Sequence, residues 1–186
     1  MTSKAHTLLP LILITLTACS TSSYEAPHNE ATARVRFTLQ TSGVAKVRHY
    51  QDQYCNGGEE WLRLKDKATP NKEATRLGMP LWRYHNNSAK ELAISSGSTH
   101  HFLFKGQKKV GFMAINCAVP VTARFKKDRN YELRYSSGMH TCHVELREIN
   151  TSANGNITTT AIQRFKNSRG INSNNCFDNF KHQAAR

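Results

Sequence analysis

Apolar and polar residues alternate with a period of two in several runs between residues 34 and 165. The first clear run covers residues 34–39, where every second side chain is apolar and the positions between them carry Arg34, Arg36 and Thr38. Because side chains two residues apart share one face of a strand, this run predicts a strand with one buried face and one basic face.

The longest run covers residues 113–125. Seven apolar side chains share one face there: Met113, Ile115, Cys117, Val119, Val121, Ala123 and Phe125. Pro120 lies within the run, and because proline has no amide hydrogen it predicts an edge strand, a bulge or a break. Two further runs, at residues 131–135 and 142–146, flank a short turn that contains Gly138, and they predict a hairpin.

Shorter apolar segments at residues 44–50, 61–64, 92–94 and 102–104 predict further strands, and residues 158–165 are one more candidate strand. No segment has a helical period. The pattern of short strands and turn residues predicts an all-β chain with a single β-sandwich domain over residues 34–165, and a small barrel is the alternative. Residues 166–186 are polar and predict a C-terminal tail.

The first nineteen residues follow a different pattern. Lys4 precedes a short apolar run from Leu8 to Leu16, and small residues then lead into Cys19. The run is too short to span a bilayer as a helix, which takes roughly 20 apolar residues, and its length and flanks are typical of a cleaved export signal. The segment resembles the lipobox signal peptide of bacterial lipoproteins.

That resemblance implies cleavage after Ala18 and acylation of Cys19, and two or more acyl chains hold a protein stably on a membrane. Ser20, where inner-membrane lipoproteins carry aspartate, implies an outer-membrane address on the periplasmic side or the cell surface. Residues 1–18 are then the signal peptide, and residues 19–33 are the lipidated cysteine with a flexible polar tether. Export also removes the chain from nucleic acid, so no nucleic-acid partner is expected.

The chain is strongly basic, with 26 lysines and arginines against 13 acidic residues and a formal net charge of +13. Such an excess favours an anionic partner. After export, the candidates are lipopolysaccharide, peptidoglycan and other anionic envelope polymers, or an envelope protein. The basic side chains that we expect to contact an anionic ligand are Arg34, Arg36, Lys108, Lys109, Arg124, Lys126, Lys127 and Arg129.

Four cysteines follow Cys19. An even number in an oxidising compartment favours two disulfides, for which four cysteines allow 3 pairings. Cys117 and Cys142 each lie on the apolar face of a predicted strand, so their thiols are expected to meet across a core. We therefore predict a Cys117–Cys142 disulfide, which leaves Cys55 and Cys176 to tie the C-terminal tail to an early loop.

Residues 90–149 resemble a loose group of small Gram-negative envelope lipoproteins of uncharacterised function. The residues that carry the resemblance are Cys117, Phe125, Tyr131, Cys142 and Val144. It implies an immunoglobulin-like β-sandwich and brings no activity with it.

No pattern predicts catalysis, a cofactor or a metal. His140, Cys142 and His143 look like a zinc cluster, but on a strand His143 points away from the other two, and a disulfide-bonded cysteine cannot be a ligand. The sequence therefore predicts a non-enzymatic, membrane-anchored lipoprotein that binds an anionic envelope polymer or joins a secretion or envelope assembly. The alternatives are a protective lipoprotein that binds a toxin or a surface protein and, less favoured, an envelope hydrolase.

Overall fold

A computed structural model describes residues 24–28, 30–65, 76–80, 89–138 and 141–168. Over these ranges the chain forms nine strands and no helix, so none of its described segments is a helix that could cross a membrane. The strands are β1 (Thr32–Leu39), β2 (Val44–Tyr50), β3 (Glu59–Lys65), β4 (Ala89–Ser95), β5 (Thr99–Val110), β6 (Met113–Arg124), β7 (Asn130–Ser137), β8 (Thr141–Thr151) and β9 (Ile157–Ser168). Each of these strands overlaps one of the segments predicted as a strand, and the all-β prediction is confirmed.

The strands form two sheets, one with the order β4-β1-β7-β8-β9 and the other with the order β3-β2-β5-β6. Neighbouring strands pair antiparallel, except for β1 and β7, which pair in parallel. The two sheets pack face to face through their apolar sides and remain separate. The prediction of a single β-sandwich is therefore confirmed, and the alternative of a small barrel is wrong.

The core lies between the sheets because the alternating apolar side chains of both sheets point inward. Phe37 from one sheet contacts Phe102 from the other, with ring centroids 5.6 Å apart. Cys117 in β6 and Cys142 in β8 form the predicted disulfide, with Cα atoms 6.2 Å apart, and so link the two sheets covalently. Pro120 lies in β6, which is an edge strand, as its missing amide hydrogen predicted.

The N-terminal segment closes one side of the sandwich. Tyr24 packs on Trp61 with ring centroids 5.1 Å apart, and its hydroxyl donates a hydrogen bond to the carbonyl of Ala93. Trp61 belongs to β3 and Ala93 to β4, which are edge strands of different sheets. Tyr24 thus packs on the sandwich although it lies ten residues before the predicted domain boundary at residue 34.

The strand register defines two ends of the sandwich. At one end, the segment before β1 meets the β4–β5 turn, where Ser96 N donates to Ala31 O at 2.8 Å, and the β6–β7 loop, where Asp128 N donates to Thr32 O at 2.9 Å. At the other end lie the β1–β2 turn and the tip of the β5–β6 hairpin, since Val44 pairs with Gln107.

Candidate functional site

Five of the eight basic residues predicted to contact an anionic ligand lie together at the end where β1 begins. We call this group the basic end: Arg34, Arg124, Lys126, Lys127 and Arg129. Arg34 N donates to Arg129 O at 3.0 Å, so β1 is hydrogen-bonded to the β6–β7 loop. All five side chains are exposed.

Buried aromatic residues hold the loop of the basic end in place. Phe125 is buried between the exposed Arg124 and Lys126, and its ring packs on Tyr131 with centroids 5.1 Å apart. The hydroxyl oxygen of Tyr131 accepts a hydrogen bond from Lys126 N at 3.2 Å. The alternation of the strand thus continues into the loop, with the aromatic side chain inward and the cations outward.

The basic end has an excess of positive charge, with five cations against three nearby carboxylates among the described residues. Glu148 has its Oε1 atom 3.8 Å from NH1 of Arg129, Asp128 lies between Lys127 and Arg129 in the same loop, and Glu30 accepts a hydrogen bond from Ser95 Oγ at the end of β4. Arg124 is oriented by a hydrogen bond from Nε to the carbonyl of Gly97. Exposed pairs such as Arg129 with Glu148 contribute little, so the end presents a cluster of cations that an external anion can approach.

The other three predicted contacts lie elsewhere. Lys108 and Lys109 are at the opposite end, close to the tip of the β5–β6 hairpin. Arg36 is fully buried, with 0% exposure, and is not accessible to an external anion. The expectation of an exposed basic face on β1 is therefore wrong at Arg36, and also at Thr38, which is buried as well.

Arg36 is buried because the segment of residues 76–80 lies over the outer face of its sheet. Its Nε and NH2 atoms donate to Oε1 of Glu91 at 3.0 and 2.7 Å, and NH2 also donates to the carbonyls of Met79 and Pro80. Oε2 of Glu91 accepts from the amides of Leu77 and Met79. The Arg36–Glu91 ion pair therefore binds the segment of residues 76–80 to the sheet, and its role is structural.

A pair of histidines, the buried His100 and the partly exposed His49, lies on the inner face near the basic end. Nε2 of His100 is 2.8 Å from the carbonyl oxygen of Ser95 and 3.0 Å from the hydroxyl of Ser98. Since a carbonyl only accepts, we assign the hydrogen to this nitrogen, and Nδ1 of His100 then accepts from Nε2–H of His49 at 3.3 Å. His49 also stacks on Trp61, with ring centroids 3.9 Å apart.

Both histidines are neutral at pH 7. Burial, together with the neighbouring His100 and His101, lowers the pKa of His49 from 6.5 to about 4. Burial also lowers the pKa of His100, although its hydrogen bond to Ser95 acts in the opposite direction. No pattern in the sequence predicted this pair, although His49 has the parity of Ala45 and Val47 in β2, which was a signal that its side chain points inward.

The remaining predicted site residues are cysteines. Cys55 is disulfide-bonded. Its predicted partner Cys176 lies outside the described residues, as do the predicted lipidation site Cys19 and the predicted signal peptide. The Cys55–Cys176 pairing stays a prediction, which peptide mapping under non-reducing conditions tests.

No protein-family model, curated protein or solved structure matches this chain. Within the described part of the chain, no group of three or more His, Cys, Asp or Glu side chains is placed to hold a metal ion. The charge and position of the exposed surfaces are therefore the evidence on function. Of these surfaces, the basic end contains the largest group of predicted contact residues.

Proposed function

We propose that this chain is an outer-membrane-anchored envelope lipoprotein whose domain is a non-enzymatic binding module. In this proposal the acyl chains on Cys19 hold the protein on the membrane, on its periplasmic side or at the cell surface. The basic end binds the phosphate groups of an anionic envelope surface, of which lipopolysaccharide and anionic phospholipid headgroups are the two sources. The observation that carries the proposal is the convergence of five exposed cations from β1, β6 and the β6–β7 loop at one end.

The position of the N-terminal segment supports this arrangement. Tyr24 is the fifth residue after Cys19, so the extended chain between them spans at most about 18 Å. The segment that follows Tyr24 leads to Ala31, whose carbonyl is bonded to the β4–β5 turn at the basic end. A domain anchored through Cys19 is thus held close to the membrane, near the end that carries the cations.

The chemistry of the five side chains also supports an anionic surface as the ligand. Arginine binds phosphate through paired hydrogen bonds, whereas lysine acts as a point charge. Each basic residue near an anionic leaflet contributes about 1 kcal/mol at physiological ionic strength. Five such residues favour the bound state strongly at low salt and much less at high salt, because salt screens exposed charges.

Vesicle binding tests the proposal. The probe is a chain of residues 20–186, which retains every described contact and lacks the predicted acylation site. The test variant is Lys126→Gln/Lys127→Gln/Arg129→Gln. The control, Lys46→Gln/Lys90→Gln/Arg164→Gln, removes the same charge from other parts of the sandwich.

At low salt we expect the test variant to bind vesicles containing phosphatidylglycerol about 100-fold more weakly than the unmodified chain does. The control variant should lose much less affinity, and vesicles of pure phosphatidylcholine should bind poorly. Equal losses in the two variants would refute a localised site. Parallel titrations with lipopolysaccharide distinguish the two phosphate sources, and preferential binding to purified peptidoglycan would replace both.

A further inference from the structure

The tip of the β5–β6 hairpin exposes an aromatic side chain completely. Gly111, with a φ of +58°, and Phe112 connect the two strands. A glycine with positive φ at the first turn position is what a tight type II′ hairpin turn requires. Phe112 has a relative exposure of 111%, whereas the next most exposed large apolar side chain in the described part of the chain, Tyr54, reaches 63%.

The residues around Phe112 are apolar or cationic. Residues 110–113 read Val-Gly-Phe-Met, and they follow directly on Lys108 and Lys109. Lys109 is exposed and Lys108 is partly exposed. The chain contains no aspartate or glutamate between residues 92 and 127, so neither β5 nor β6 carries a negative charge.

The order of these groups along the hairpin matches the layers of a bilayer surface. Lys109 pairs with Ala114 and Lys108 pairs with Ile115, so the two lysines lie two and three residue pairs behind the turn. At about 3.4 Å per residue, their backbone atoms are roughly 7–10 Å behind the tip. Interfacial elements bury their apolar part about 5–10 Å into the boundary between headgroups and acyl chains, which leaves both lysines at the level of the headgroup phosphates.

We propose that the β5–β6 tip is a bilayer-binding element in which Phe112 enters the boundary between headgroups and acyl chains, while Lys108 and Lys109 bind anionic headgroups. A protein partner that binds the tip in a pocket is less favoured than a bilayer, because the tip is convex and narrow. A bilayer surface, with anionic headgroups above apolar acyl chains, binds the two lysines and the aromatic ring at the same time.

The tip and the basic end cannot contact the same flat bilayer. Thr99 pairs with Arg124 at the basic end and Val110 pairs with Met113 at the tip, so the hairpin spans the whole sandwich. Twelve residues per strand correspond to about 40 Å. The tip is therefore a second contact that faces away from the proposed anchor, and this inference does not depend on the proposed function of the basic end.

Two variants of the residue 20–186 chain test the tip. Phe112→Ser removes the aromatic ring, and Ile162→Ser is the matched control because Ile162 is an exposed apolar residue on β9. At high salt, where the contribution of exposed cations is screened, Phe112→Ser should weaken binding to vesicles with one third phosphatidylglycerol about tenfold or more. Ile162→Ser should bind like the unmodified chain.

A third variant, Phe112→Trp, reports insertion directly. Its fluorescence, taken as the difference from the unmodified chain, should shift to shorter wavelength with these vesicles and be quenched by brominated acyl chains. Unchanged urea midpoints for all variants would show that folding is intact. An unshifted tryptophan spectrum, or equal binding of Phe112→Ser and Ile162→Ser, would overturn the proposal.

The outcomes for the two ends are distinguishable. Loss of low-salt binding in the Lys126/Lys127/Arg129 variant together with an unshifted Phe112→Trp spectrum supports the basic end and refutes the tip. Unchanged low-salt binding in the Lys126/Lys127/Arg129 variant together with a Phe112→Trp spectrum shifted to shorter wavelength supports the tip and refutes the basic end. If both ends bind, the unmodified chain should also cross-link vesicles and raise turbidity, and Phe112→Ser should abolish that effect.

Discussion

The buried ion pair between Arg36 and Glu91 is the contact whose loss we expect to destabilise the fold most. Both side chains have 0% exposure, and the guanidinium donates to Oε1 of Glu91 through two nitrogens. In Glu91→Ala, the buried guanidinium loses both hydrogen bonds to Oε1 of Glu91, and the amides of Leu77 and Met79 lose their acceptor. Breaking such a pair from one side costs about 3–5 kcal/mol.

That loss is a large fraction of the stability of an ordinary domain, which is about 5–15 kcal/mol. With a urea dependence of about 2 kcal/mol per molar, the unfolding midpoint of Glu91→Ala should fall by about 2 M. The matched control is Glu60→Ala, because Glu60 pairs with Arg63 at 2.9 Å while both side chains are partly exposed. An exposed pair of this kind contributes about 0–1 kcal/mol.

The double variant Arg36→Met/Glu91→Leu separates two quantities: the cost of burying Arg36 without Glu91, and the net contribution of the ion pair to the free energy of unfolding. Because it removes both charges, it should be more stable than Glu91→Ala by at least about 2 kcal/mol. Urea titrations monitored by circular dichroism measure all three variants. If Glu91→Ala lost no more stability than Glu60→Ala, the segment of residues 76–80 would not cover the sheet as described, and the reasoning would be refuted.

Other contacts of the core make the protein sensitive to pH, to reduction and to an added methyl group. Since the pKa of His49 is about 4 in the folded chain and 6.5 in its ordinary state, the unfolded chain binds more protons, and stability should fall as the pH drops from 6.5 towards 4. For this partly exposed ring the loss is about 1–2 kcal/mol, and urea midpoints of His49→Gln should depend less on pH. Reducing the chain should cost at least about 3.5 kcal/mol, visible as a lower melting temperature than in the oxidised chain, because it breaks the Cys117–Cys142 disulfide, whose sequence separation is 25, together with the disulfide of Cys55. Gly106→Ala would place a methyl group in steric overlap with the hydroxyl of Tyr135, so calorimetry should show a loss of about 1–3 kcal/mol, and an unchanged melting temperature would contradict this packing.

The local features of the sandwich were predictable from the sequence because they depend on residues close together in the chain. Alternation with a period of two locates a strand and its apolar face without any knowledge of the neighbouring strands. The same parity placed Cys117 and Cys142 on inward faces, and the missing amide hydrogen of Pro120 indicated an edge strand, a bulge or a break, of which the structure has the edge strand. These features located the clearest strands, such as β1, β6, β7 and β8, and one disulfide.

The surfaces were only partly predictable, because they depend on residues that meet across long sequence distances. Alternation shows that Arg34 and Arg36 share a face of β1, but it cannot show that residues 76–80 cover Arg36 and leave Arg34 exposed. The pairing of His49 with His100 requires β2 and β5 to be neighbours, which no local pattern specifies.

By itself, the sequence determined where the strands lie, which of their faces is apolar, and the excess of positive charge. The tertiary structure alone decided which cations form a common surface, that Arg36 is instead buried in an ion pair, and that Phe112 lies at an exposed hairpin tip. The physical reason is that parity along a strand is a local property of the backbone, whereas burial and charge clustering depend on which distant segments pack against each face.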